Sequence, residues 1–205
     1  MQTYHSAERL PKEIRLRDMG SFYAGGQKIE ISGRDIIEIN VNEKCDRRII
    51  VDPNGSYQIG QMYVQYYIPE KIHGKYPLLL WHGGGMTGKS YETTPDGRPG
   101  WLSYFIRSGW KTYLSDAVER GRSSWCPYGE AFETMPTLFP EAYVFERFRL
   151  GKSFEEKSLF EGSRFPMNGF EEYAKEFVPR WTTTSELTVD AYCALLENCL
   201  LYTSD

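Results

Sequence analysis

The sequence predicts an α/β fold: a mostly parallel sheet led by antiparallel strands, with packed helices and a helical cap insertion. Three observations carry this. Pro77 to His82, PLLLWH, is apolar almost throughout, as a central strand covered on both faces must be. Trp101 to Arg107, WLSYFIR, has helical apolar spacing, and Trp110 to Asp116, WKTYLSD, returns to strand character. Strand, helix, strand in that order is the unit from which parallel sheets are built.

The other elements follow along the chain. Gly20 to Gly26, GSFYAGG, ends in a turn signal, and KIEIS (Lys28 to Ser32) and IIEIN (Ile36 to Asn40) alternate as half-buried strands do. RIIV (Arg48 to Val51) stops at the turn cluster Asp52-Pro53-Asn54-Gly55. QMYVQYYIP (Gln61 to Pro69) is a longer strand ended by its proline, and WLSYFIR stops at Ser108-Gly109, a C-terminal cap. From Trp125 to about Arg180 the composition shifts to aromatics and proline, with short helices expected within Leu138 to Leu150 and Gly169 to Val178. This reads as a lid. The last helix starts with Thr183 and Glu186 spaced as a capping box and runs through ELTVDAYCALLENCLL. The expected division is 1–124 for the core, 125–182 for the cap and 183–205 for a helix leading onward.

Composition narrows the function. At 205 residues, with 40% hydrophobic and 15% aromatic, the chain can bury the core of one domain, with or without an insertion. A net charge of -4 and the lack of a basic stripe argue against nucleic acid as a partner. No run approaches the roughly 18 apolar residues of a membrane span. The N-terminal MQTYHSAERLPKEIRLRD has no apolar core of a signal peptide, so a cytoplasmic location is expected. Cys45, Cys126, Cys193 and Cys199 form no C-x-x-C pair, and His5, His73 and His82 add no metal-ligand spacing. No metal and no cofactor is expected. Cys193 and Cys199 fall on different faces of one helix and are poorly placed to bridge each other.

The stretch LLLWHGGGMTGKSYETTPDGRPGW is ambiguous. Gly83 to Ser90 fits the phosphate-binding pattern G-x-x-x-x-G-K-[ST], and from His82 the same residues read HGGG. A phosphate loop must feed directly into a helix, whose amides and dipole hold the phosphates. Pro95, Gly97, Pro99 and Gly100 stand where that helix should run. An interior proline costs a helix about 3 kcal/mol and a glycine about 1 kcal/mol, so a loop is expected instead. An oxyanion site needs a buried strand that delivers unhindered backbone amides, and PLLLWHGGG supplies one.

That strand and loop resemble the HGGG-type loop of the α/β-hydrolases, a superfamily that includes esterases and lipases. After the next strand, Asp116 and ERGRSS (Glu119 to Ser124) look like the D-x-x-G-x-G-x-S turn of the same superfamily, with Arg122 in place of the second glycine. ETTPDGRPGW (Glu92 to Trp101), with MGSFYAGG (Met19 to Gly26) upstream, resembles a bacterial esterase-like branch. There HG is followed by two small residues and then T-G-x-x-[WY]-E-T-T-P-D-G-R. Some relatives carry a Cys-Cys pair where this chain has Gly84-Gly85. The resemblance spans about residues 19–200 and is most specific over 77–124.

The resemblance implies an α/β-hydrolase-like fold and hydrolysis of a small-molecule carboxylic ester. A serine attacks the carbonyl, a histidine shuttles the proton, and glycine amides hold the oxyanion. Gly84 is the first choice for the donating amide and Gly85 the second. His82 and Gly83 are expected to shape the loop, with His82 not a catalytic base. Met86 and Trp125 are candidates for a substrate pocket, together with Phe132, Phe139, Tyr143 and Phe148, which could equally pack the lid on the body. Asp116 and Arg122 are expected to fix the turn after their strand, and Glu92 and Asp96 to be turn residues.

No nucleophile elbow is visible. GKSYE at Gly88, GRSSW at Gly121 and GKSFE at Gly151 all lack the second glycine of G-x-S-x-G, and no histidine follows His82. The expectation is an N-terminal portion of a longer hydrolase, with its triad beyond residue 205. Such a portion would be inactive alone and poorly stable, because part of a sheet leaves an apolar edge open. The tail CLLYTSD (Cys199 to Asp205) looks less like the elbow strand than expected. Two other classes remain open at this stage: a non-catalytic binding protein of the same fold, and the nucleotide binder through Gly83 to Ser90.

Overall fold

The computed structural model describes residues 13–201, with side chains up to 197. The readings made on residues 1–12, on 202–205 and on the Cys199 side chain lie outside the described residues.

A four-stranded sheet forms the centre, in the order β1, β4, β6, β5. Strand β1 (Leu16–Ile31) and strand β4 (Gly55–Pro69) are long antiparallel partners, joined in the chain by a separate hairpin of β2 (Ile37–Asn40) and β3 (Arg48–Val51). Strand β6 (Thr112–Asp116) pairs antiparallel to β4 and parallel to β5 (Leu78–Leu80). The crossover between β5 and β6 is helix α1 (Trp101–Arg107). The sheet is thus mixed. Its parallel part is the β5–α1–β6 unit, as the apolar run and the helical spacing require.

Strand β6 is buried at all five positions. Its alternation sends successive side chains to opposite faces. Tyr113 packs with Ala24, Met62, Val64, Ala191, Tyr192 and Leu195 on the face covered by helix α4 (Ser185–Leu201). Leu114 packs with Leu80, Leu102 and Ile106 on the face covered by α1. Each such side chain removed from water contributes about 1.5–3 kcal/mol. Helix α4 starts one residue later than the expected capping box: the carbonyl of Thr184 accepts the N–H of Thr188.

The turn expected at Gly25-Gly26 is a bend instead. Gly25 and Gly26 have φ of 65° and 100°, Gly60 on the partner strand has 72°, and pairing continues from Gly25–Gln61 to Gln27–Ile59. Glycines therefore curl both strands without ending either. Helix α4 fits into the bend, so close that a Cβ on Gly25 would lie 2.8 Å from the Cα of Ala191.

Between β6 and α4 lies a segment of short elements: α2 (Glu141–Arg147), the small hairpin β7 (Gly151–Ser153) with β8 (Ser158–Leu159), and α3 (Phe170–Ala174). Phe145, Phe154, Phe165, Phe170 and Tyr173 form its aromatic interior. Its root packs on the sheet through Trp181 and Phe132 against Ile59 and Cys126. Among the described residues no helix is long and apolar enough to cross a membrane.

Candidate active site

Strand β5 delivers the chain into His82 and a glycine turn. The N–H of Met86 donates to the carbonyl of Gly83 (3.3 Å), which makes Gly84 and Gly85 the corner of the turn. Gly85 has φ of 76°, the left-handed conformation that favours glycine at this corner. Among the described residues, the N–H groups of Gly84 and Gly85 donate to no protein acceptor.

His82 is buried, and both its ring nitrogens are used. The N–H of Ala117 donates to Nε2 at 2.9 Å, so the proton sits on Nδ1 and is donated to the carbonyl of Gly83, also at 2.9 Å. Burial pushes the imidazole pKa below its ordinary value, outweighing the bond to Gly83. His82 thus bridges the glycine turn and the residue after β6 in its neutral form.

Asp116 ends β6 and ties three segments together. Its Oδ1 accepts the N–H of Gly88 (2.8 Å), and its Oδ2 accepts the backbone N–H (3.0 Å) and Nε (2.8 Å) of Arg122. Burial works to raise its pKa, but the Arg122 and Gly88 bonds prevail and hold it below the ordinary carboxylate value. The guanidinium of Arg122 also reaches Gln65 and lies over the ring of Tyr63. Both residues fix the turn, as expected.

The structure corrects the alignment of that turn. Counted from Asp116, the glycine positions fall on Glu119 and Gly121, which have φ of 61° and 43°. It is Glu119, not Arg122, that stands where the pattern has a glycine. Its carboxylate is buried and accepts from Arg120 Nε (3.0 Å) and from the N–H of Trp181 (3.2 Å). Burial raises its pKa against the pull of Arg120.

Trp181 ends a strap, residues 178–181, that lies along the glycine turn. The N–H of Val178 donates to the carbonyl of Gly85 (2.9 Å), and Arg180 pairs through its backbone with Thr137. The Arg180 side chain covers Gly84: a Cβ there would be 2.5 Å from Nη1. Phe139 reaches Gly85 in the same way at 3.9 Å, and stacks on Tyr143. Of the other pocket candidates, Met86 is buried beneath the turn, Trp125 is 42% exposed and packs on Trp181, Phe132 belongs to the lid root, and Phe148 packs on Tyr173 within the lid. Sequence reasoning missed Glu119, Arg120 and Arg180.

The phosphate-loop reading does not fit. After Gly88 the chain makes a single tight turn, Gly88–Tyr91, and then closes on itself through a Thr93–Pro99 bridge. Asp96 holds Thr94 and Arg98 inside that loop. Lys89 Nζ is spent on Glu176 (2.5 Å) and on the carbonyl of Thr93 (3.1 Å).

No family model matches the chain. A solved structure described as a novel bacterial esterase matches with a TM-score of 0.73 and 30% identity, over 90% of this chain and 58% of its own. That likeness shows an α/β-hydrolase-like esterase fold. A 73-residue segment is also 45% identical to the probable secreted lipase phiG of Fungal sp. (strain ATCC 74256), covering 36% of this chain and 20% of the lipase. The chain thus spans well under two thirds of both proteins. A cavity lies away from the glycine turn, between Arg15, Pro69, His73, Ile106 and Gly109.

Proposed function

We propose that the protein containing this chain hydrolyses carboxylic esters of small molecules, and that this chain supplies its oxyanion hole. The observation that carries the reading is the Gly83–Met86 turn at the end of a buried parallel strand. Among the described residues its two corner amides have no acceptor, and its shape is held by a neutral buried histidine. Amides fixed in this way meet the charge that develops on the carbonyl oxygen as a nucleophile adds, without having to reorganise. Gly84 donates first and Gly85 second. His82 takes no proton in the reaction, because both its nitrogens are already engaged. The attacking serine, its acid and its base lie outside residues 1–205, and the lid segment 125–182 forms the wall against which the ester sits.

The test compares the full gene product with residues 1–205 alone on phenyl acetate. Turnover is expected from the full product only. In it, Gly84→Pro removes the first-choice donor and should lower kcat by about 10²–10³. Gly85→Pro removes the second amide and also forces φ away from 76°, so it should lower activity at least as far, with a loss of stability that a thermal melt reads. Full activity in both variants would remove the turn from the mechanism. Turnover by the 205-residue chain would place the nucleophile within it. The sequence suggests a cytoplasmic location while the lipase relative is described as secreted. Fractionation of the native host decides between the two.

A further inference from the structure

The strap places a cation at the glycine turn with no carboxylate to answer it. Arg180 Nη1 lies 2.5 Å from where a Cβ on Gly84 would stand, and among the described residues its buried Nε has no hydrogen-bond acceptor. Among the described residues, no acid pairs with Arg180. The carboxylates around it are committed elsewhere. Glu119 is held by Arg120 and by the N–H of Trp181, Asp116 by Arg122, and Glu176 by Lys89. Arg120 lies close enough to Arg180 to feel its like charge. Glu119 thus answers Arg120, and among the described residues the Arg180 guanidinium has no carboxylate of its own. A buried donor left unpaired is costly, and a guanidinium is shaped to receive a carboxylate through two parallel bonds. Phe139 supplies an apolar neighbour on the Gly85 side.

We propose that Arg180 is a substrate-recognition residue, and that the preferred ester carries a carboxylate on its acyl side, within a few bonds of the reacting carbonyl. This rests on the esterase reading above. Oxyanion donors sit about 3 Å from the carbonyl oxygen, so a guanidinium touching Gly84 reaches only groups close to that carbonyl. An acyl chain ending in carboxylate is met by the arginine while its ester carbonyl faces the turn. A neutral chain of equal length leaves the guanidinium unmet.

The experiment uses the full gene product with two phenyl esters of equal acyl length, phenyl hydrogen succinate and phenyl butyrate. Wild type should show a kcat/KM at least about tenfold higher for the succinate half-ester, the scale of one charge-assisted bond. In Arg180→Gln that preference should vanish while phenyl butyrate turnover holds, and Arg180→Lys should keep part of it. Thermal melts of both variants establish that the lid remains folded. Absence of a preference in wild type overturns the proposal. So does an equal fall on both esters, which would make Arg180 a partner of the oxyanion or a strut of the lid. Turnover of neither ester by wild type would overturn the esterase reading itself, and this proposal with it.

Discussion

At His82, both ring nitrogens are occupied inside the fold, and protonation must break the bond from Ala117. Burial holds the folded-state pKa below the unfolded value of about 6.5. The unfolded chain therefore binds the proton first. The stabilising contribution of His82 is complete above about pH 6.5 and is lost as pH falls toward the folded-state value. Urea midpoints measured between about pH 5 and 7 should fall with acidity in wild type more steeply than in His82→Gln. Parallel curves would show that another group is responsible. At neutral pH the same substitution should cost about 1–3 kcal/mol, since the Ala117 amide loses its acceptor. His82, Gly84 and Gly85 were legible because they are contiguous, and a strand that ends in glycines states its purpose locally. Glu119 and Arg180 were not. The Glu119–Trp181 bond joins residues 62 apart, and nothing near either position announces the other.

Among the elements, β1 shows how a local signal can be overridden. Gly25-Gly26 reads as a turn, yet the ladder to β4 runs through it, because Gly60 bends at the same level. Helix α4 occupies the hollow of the bend, and its Tyr192 stacks on Trp81 at 4.0 Å between ring centres. Gly25→Ala should therefore cost the left-handed strain of about 1–2 kcal/mol plus a displacement of Ala191. Gly33→Ala is the control: its φ is 74° but nothing lies within 4 Å of its Cβ, so strain alone remains. Denaturation should find Gly25→Ala the more damaging, with a shift in tryptophan fluorescence absent from Gly33→Ala. Equal costs would mean that α4 is not seated in the bend. Helix α1 and strands β5 and β6 were legible to within a few residues, since their apolar periodicities are strong and their neighbours in space are also neighbours in sequence.

For the whole molecule, burial is uneven, and opening should follow it. Every residue of β6 is buried, whereas all of β2 and most of β3 are exposed, Ile50 at 76%. Amide exchange should be slowest in β6 and the middle of β4, at the rate of global unfolding. Exchange in β2 and β3 should be faster by orders of magnitude, through local opening. Protection of that hairpin equal to that of β6 would contradict the picture. The change of composition near Trp125 falls where the short elements between β6 and α4 begin. How that segment returns to the core was not legible in the sequence, because that depends on a few backbone bonds between distant segments.

The strap has a consequence for how such proteins diversify. In the proposed function, the groups that activate the carbonyl belong to the turn after β5, whereas Arg180 and Phe139 ride on the segment between β6 and α4, which is tied to the core by its bonds to Gly85 and Glu119 and by ion pairs such as Lys89–Glu176. Substrate choice can then be exchanged like a tool head. On that proposal, an insertion of different sequence that keeps these docking points would inherit the glycine turn and bring its own selectivity, and recombination at the borders of the segment would be a short path to a new substrate.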